Sequence, residues 1–394
     1  MPLPRWSVAL LLAAGTAGWL LRGWPRVAHP TLWAEDGTIF LAGAYHDPFG
    51  AIVTPYAGYL HVLPRLVAAL ASPLPLTWLP TVYVVAAVVG TVAAAGLVLS
   101  SRMRWLLPRR WQPPLAFGLL VLLPAADEAF GNLANLIFYG GLALVLLGLC
   151  DDPVGRRGRL AELVVLVPLA LSGPFAVLAL PAFATRWWRM RSRHSAGAAA
   201  VVAGGAAVQC AILLAGPRVD HSQLAAVDVP RFVLHNVARV WLVGDRAAPV
   251  WTLGLTVAVV AWVGAVVVVA ARLRSTAVGL GLVVLVGLGS ALWAWGYWLV
   301  RPYVGQRHVL LPLAIAVLVL VAGLADRGRW ARVVAGLCLL AGLGGIVRDA
   351  AIRPLPFYPI GPLADCLAAG SPGGPECRTT INPHRAPWII VLRP

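Results

Sequence analysis

The chain has 394 residues, 60% of them hydrophobic and only 12% charged, with a mean hydropathy of +0.82. That composition excludes a water-facing globular domain as the bulk of the protein and places most of the chain in lipid. The formal net charge of +16 rests on 31 basic residues that are all Arg, since no Lys occurs; they recur as blocks between apolar runs, the pattern of a membrane-topology signal and not of a nucleic-acid interface.

A bilayer core is crossed by about 20 apolar residues wound as a helix, and lipid leaves no other open structure with its backbone satisfied. Each long apolar run therefore predicts a helix. The first, 6–22, follows Arg5, which the positive-inside rule puts in the cytosol with the N-terminus. The polar segment after it argues against a cleaved signal peptide. Residues 25–74 form a long outer segment rich in Pro, Gly, aromatics and His. A span at about 75–99 returns to Arg102, Arg104, Arg109 and Arg110 inside; spans at about 113–125 and 134–150 flank a short outer loop with Asp127 and Glu128. Arg156, Arg157 and Arg159 are again inside.

The stretch 160–185 has the length of one span, yet one crossing would place Arg186, Arg189, Arg191 and Arg193 outside. Ser172-Gly173-Pro174 interrupts it, because Pro removes a backbone donor and Gly weakens helix, so two short helices meeting near the outer face are expected. Such breaks are tolerated at membrane depth where they line a protein cavity. A span at about 196–215 then leads to an outer loop at 216–249. Spans near 250–271 and 276–299 follow, with Arg272 and Arg274 inside between them. An outer turn carries Arg301, Tyr303, Gln306, Arg307 and His308. A span to about 324, the inside group Arg327, Arg329 and Arg332, and a last span at about 333–347 complete the membrane part. The expectation is an all-α polytopic protein with about ten or eleven passes and no internal repeat. Its membrane domain is 1–347 and its outer tail 348–394. The Ala/Val/Leu/Gly/Pro/Arg bias fits a GC-rich bacterial genome, hence the plasma membrane.

Cys150, Cys210 and Cys338 fall in or at the ends of spans and read as packing residues. Cys366 and Cys377 lie in a Pro/Gly-rich tail placed in an oxidising compartment, which predicts a disulfide. Residues 378–383 and 388–391 read as a small strand pair stapled over the outer mouth.

The unusual polar residues gather on the outer side, and a transporter would be expected to bury ionisable groups near the midplane. The pattern fits an enzyme acting at the boundary on a lipid-borne substrate. Glu35 and Asp36 are the leading pair. Adjacent carboxylates repel, so one pKa is raised into a useful range for a general base, with the neighbour orienting a sugar or holding a divalent ion. Acids in a first helical turn serve the macrodipole too, the simpler reading. Arg301, Arg307 and His308 are the phosphate candidates, because guanidinium binds phosphate bidentately; interfacial snorkelling is their plainer role. The helix start at Pro174 and Phe175 is a second candidate. Asp127-Glu128, beside Asn132 and Asn135, could assist acceptor binding, a solvated loop being the plainer role, and Asp151-Asp152 on the cytosolic side read as loop residues. The histidines lack zinc-ligand spacing.

An acidic pair directly after the first span, followed by segments lying along the membrane, resembles the GT-C glycosyltransferases. The resemblance covers the membrane portion as architecture, and its compact motif is Glu35-Asp36 alone. It implies interfacial helices near 37–46 and 56–72, with Tyr56, Tyr59, His61, Arg65 and Tyr303 binding substrate. It implies a polyprenyl-phosphate sugar donor, an envelope glycan or glycolipid acceptor, and inverting transfer with Asp36 or Glu35 as base. A divalent cation (Mg, Mn or Ca) would sit, if anywhere, on the same two carboxylates. A lipid-linked oligosaccharide flippase is an alternative. An O-antigen-type polymerase or ligase is another, and Arg218, His221, Arg231, His235 and Arg239 in the 216–249 loop keep it open.

Overall fold

The computed structural model describes residues 3–216, 228–247, 251–273, 307–371, 373–383 and 388–394, with backbone alone at 228–229. The predicted span at 276–299 and the site candidates Arg301, Tyr303, Arg218 and His221 lie outside the described residues.

The apolar runs become helices. Among the described residues four, Leu76–Leu99, Arg193–Ala215, Leu253–Arg272 and Arg329–Arg348, are long and apolar enough to cross a bilayer. The first predicted span is the helix Arg5–Arg22. Two predicted spans come out short. Gln112–Val121 and Leu136–Leu149 have 10 and 14 residues, about 15 and 21 Å at 1.5 Å per residue, against a core of about 30 Å. The second is buried at every position, and so is Arg307–Gly323 from His308 onward. A helix that is apolar all round belongs at the centre of a bundle. These two form that centre, whereas Leu253–Arg272 buries only Val259, Trp262, Val266 and Val269 and turns the rest outward.

The run 160–185 is two helices, Gly155–Ala170 and Phe175–Met190, joined at residues 171–174 with Gly173 at φ +81°. The junction is locked to the segment ahead of the helix Val62–Ala71. Ser172 Oγ accepts from the Leu63 N–H at 2.7 Å and donates to Pro168 O at 2.6 Å. The Gly173 N–H donates to Leu60 O at 2.8 Å. The chain break therefore supports a loop of the candidate site, and its polar groups are used in doing so.

At the opposite end of these helices the arginine blocks meet buried acids. Glu162, 5% exposed, pairs with Arg186 at 2.7 Å, with His194 at 3.0 Å and with Arg102. Asp152 pairs with Arg186 at 2.9 Å and accepts from Ser192 Oγ; Asp151 pairs with Arg189. Asp151 and Asp152 are loop residues, as expected, but the pair is not idle: it ties the ends of three helices.

The tail forms the expected small sheet. Cys377–Thr380 and Ile389–Leu392 pair antiparallel, with Cys377 opposite Leu392 and Thr380 opposite Ile389. Cys366 and Cys377 are disulfide-bonded, which fastens the helix Gly361–Ala369 to the first strand. The sheet packs on the acidic-pair segment so closely that a Cβ on Gly37 would stand 2.6 Å from Ile390 Cδ1. Closing an 11-residue separation by a disulfide stabilises by about 2–3 kcal/mol in the chain-entropy model. Reduction in detergent is expected to speed proteolytic nicking between 361 and 394, with the bundle's own cleavage pattern unchanged.

Candidate functional site

The acidic pair sits where the chain is bent hard. Ala34 has φ +35°, and residues Asp36–Leu41 wind as a π-helix, a rare form frequent at functional sites. The tail holds this bend in place: the Ala34 N–H donates to Asn382 O, and the Asn382 N–H donates to Leu32 O at 3.2 Å. The bend sends the two neighbouring carboxylates to different destinations.

Asp36 goes inward. It is 1% exposed and accepts from the Ala134 N–H at 2.8 Å and the Leu133 N–H at 3.3 Å, donors just ahead of the central helix Leu136–Leu149. Burial pushes its carboxyl up to about 8 against the pull of the Ala134 hydrogen bond, and the adjacent Glu35 charge adds to the rise. Glu35 goes the other way. It is half-buried, its Oε2 is shielded from solvent with no hydrogen-bond partner among the described residues, and burial raises its carboxyl despite the nearby Arg307.

Facing Glu35 is the start of the central helix Arg307–Gly323. Arg307 pairs with Glu128 at 3.0 Å and donates to Asn135 Oδ1 at 3.3 Å. Its guanidinium carbon is 5.8 Å from the centroid of the Phe138 ring. The side-chain amides of Asn132 and Asn135 donate to Glu128 O at 2.8 and 2.9 Å. The stretch 124–135 is therefore a buried wall, which corrects its reading as a solvated loop: Asp127 is bound there as well, to Arg246 at 3.0 Å and Arg353 at 3.3 Å. The signal available in the sequence was Asn132-x-x-Asn135, two amides at a spacing that shares one helical face. His308 stands edge-on to Phe138 at 4.9 Å.

The third wall is the turn Tyr56–Tyr59, closed by reciprocal backbone hydrogen bonds of 2.9 and 3.2 Å with Ala57 at φ +51° and Gly58 at +86°. Only glycine takes such an angle without strain, so Gly58 suits this turn. Tyr59 stacks on His61 at 4.5 Å, and Tyr56 lies 5.6 Å from the same ring. Burial, with Glu35 next in effect, pushes the Tyr56 hydroxyl up to about 12; burial also raises Tyr59. Burial and then Arg65 push His61 down to about 3, so its imidazole is neutral at physiological pH and offers a hydrogen bond rather than a charge.

Arg65 belongs to a neighbouring place. It is 4% exposed, its guanidinium carbon is 5.7 Å from the Phe40 centroid, and burial lowers its pKa. Among the described residues no carboxylate lies within ion-pair distance of it. Of the predicted candidates, then, Glu35, Tyr56, Tyr59 and Arg307 sit close enough to act on one another electrostatically; Glu128 and Asn135 hold Arg307, His61 stacks on Tyr59, His308 packs against Phe138, and Asp36 and Arg65 make their contacts elsewhere. His29, His46 and His235 pack against Phe357, Tyr45 and Trp251 elsewhere.

A divalent cation does not fit the acidic pair. Both Asp36 oxygens accept amide hydrogens whose donors would repel a cation, and Arg307 already lends positive charge to Glu35. Among the described residues no group of three His, Cys, Asp or Glu side chains gathers elsewhere.

The raised Asp36 carboxyl has a stability consequence. A folded carboxyl that keeps its proton between 3.8 and about 8 contributes stability fully present below 3.8 and lost as pH rises through 8. Thermal unfolding in detergent on either side of that window should show the loss in wild type and a flatter response in Asp36→Asn.

What these walls have in common is polarity, concentrated at one end of an apolar bundle in segments drawn from five parts of the chain. The chain matches no family model, no curated protein and no solved structure.

Proposed function

We propose that the chain is a polytopic membrane glycosyltransferase of GT-C type at the outer face of a bacterial plasma membrane. It moves a sugar from a polyprenyl-phosphate donor to an acceptor hydroxyl of an envelope glycan or glycolipid, with inversion. The observation that carries this reading is the Glu35 carboxylate, whose buried Oε2 has no hydrogen-bond partner among the described residues, within electrostatic reach of Arg307 and Tyr56.

A carboxylate with one uncommitted oxygen and a raised pKa is suited to take a proton. Glu35 removes the proton from the acceptor hydroxyl as that oxygen bonds to the anomeric carbon. The bond from that carbon to the donor phosphate oxygen breaks, and the phosphate leaves with the electron pair. Arg307, oriented by Glu128 and Asn135, offers a guanidinium to the departing charge. Tyr56 and Tyr59 keep their protons and present ring faces and hydroxyls to a sugar. Asp36 acts through the fold: it fixes the chain beside Glu35 to the wall at 133–134.

The test is transfer from a panel of polyprenyl-phosphate sugars by the purified full chain in detergent or vesicles. Transfer of at least one sugar supports the reading. Movement of lipid across vesicles with no transfer from any donor overturns it in favour of a flippase.

A further inference from the structure

Leu41, the last residue of the π-helix that Asp36 begins, borders an apolar space. A cavity of about 310 Å³ opens between the segment 41–45, the helix Val62–Ala71, the start of the span Leu76–Leu99 and the tail helix Gly361–Ala369. Its wall includes Leu41, Ala44, Ala68, Leu79 and Leu367. Tyr45 and Leu74, 43% and 38% exposed, stand at its mouth. The volume falls at the low end of the range for small-molecule sites, about 300–1,000 Å³. Trp78, Leu70 and Phe49 are exposed nearby, the aromatic and aliphatic belt expected where a protein meets the membrane–water boundary.

Among the described residues, one polar atom on this cavity, the Tyr83 hydroxyl, and one beside it, Arg65 Nε, make no hydrogen bond. Tyr83 lines it, is 1% exposed, and has a hydroxyl that makes no hydrogen bond among the described residues, the Asp36 carboxyl being near enough to act on it electrostatically but not bonded to it. A buried hydroxyl left unmade costs about 1–3 kcal/mol, so the position calls for an acceptor from outside the chain. Arg65 lies on the same helix as Ala68, one turn away on one face. Its Nη1 reaches within 3.2 Å of where a Cβ on Gly43 would stand, next to Ala44 of the cavity wall. Its buried charge has no carboxylate partner among the described residues, and a buried charge is stable only when compensated.

We propose that this cavity is a binding site for an anionic diacyl phospholipid. One acyl chain fills the space between Ala44, Ala68 and Leu367, the ester carbonyl accepts from Tyr83, and the phosphodiester lies on Arg65. The charge and the orphan hydroxyl favour an acyl ester over an isoprenoid chain, which has no carbonyl to accept from Tyr83. The Cys366–Cys377 bond closes the site from the tail side, since Cys366 sits between the lining residues Ala364 and Leu367. The site is independent of the proposed sugar transfer.

Native mass spectrometry of the full chain in detergent, titrated with phosphatidylglycerol, diacylglycerol, undecaprenyl phosphate and inorganic phosphate, tests this. Wild type is expected to retain one phosphatidylglycerol, which diacylglycerol and undecaprenyl phosphate displace only at about tenfold or greater excess. Arg65→Gln should weaken phosphatidylglycerol about tenfold and Tyr83→Phe by a lesser factor, as losses of one charge-assisted and one neutral hydrogen bond. Ala68→Trp, which fills the cavity, should abolish retention; Leu367→Trp replaces it if the first variant does not run as a monodisperse species with the wild-type melting midpoint. The proposal is overturned if a folded cavity-filling variant retains phosphatidylglycerol as wild type does. Undecaprenyl phosphate displacing phosphatidylglycerol at equal concentration, or inorganic phosphate displacing the lipid, also overturns it. Phospholipid retention by a chain that transfers no sugar supports this site and removes only the transferase reading.

Discussion

Glu35→Gln is expected to lower sugar transfer by about 10²–10⁴-fold, the range for loss of a general base, with the melting midpoint in detergent unchanged. Gln keeps the shape and removes the basic oxygen, and Glu35 Oε2 has no hydrogen bond to lose. Asp36→Asn has the opposite profile. Its amide can accept from only one of Leu133 and Ala134 through oxygen, so one buried N–H loses its acceptor at about 1–3 kcal/mol, while the proton-accepting group next door is intact. Measuring kcat and the melting midpoint for both variants separates the roles. If Asp36→Asn abolishes transfer at wild-type stability and Glu35→Gln does not, the base has been assigned to the wrong member of the pair.

The second large effect is expected far from that site. Glu162→Gln should destabilise the chain by about 3 kcal/mol, the lower end of the cost of breaking a buried ion pair by removing one partner, because Asp152 still balances Arg186. Arg102, on a short turn, His194, at the start of its helix, and Arg186 all converge on Glu162, so one substitution loosens several helix ends together. Chemical unfolding in detergent micelles measures the loss; a shift below about 1 kcal/mol would mean that water or lipid headgroups solvate these arginines instead.

The acidic pair was legible in the sequence as a pair, but not as two roles. Its members are adjacent in sequence, and a local pattern cannot tell which carboxylate turns to the core. The difference comes from the π-helical bend and from Leu133 and Ala134, which arrive from 97 and 98 residues along the chain. The break at 172–174 was readable because Pro and Gly act on their own backbone, whereas its docking onto Leu60 and Leu63 was not. The acids at 127–128 and 151–152 were underrated for one reason: a short polar stretch between apolar runs looks solvated unless its distant arginines are known.

From its residues alone the chain declares a helical membrane protein, the positions of most helices, a tail disulfide and an acidic pair after the first helix. Hydropathy, helix breaking and cysteine placement are local properties that survive without coordinates. Tertiary structure decided that the apolar run Leu136–Leu149 is a short central helix, that Arg307 is balanced by Glu128 while Arg65 has no carboxylate beside it among the described residues, and that among them Glu35 rather than Asp36 keeps an uncommitted oxygen. Those outcomes depend on which charged and polar groups meet across long sequence separations, and burial makes each such meeting, or its absence, energetically decisive.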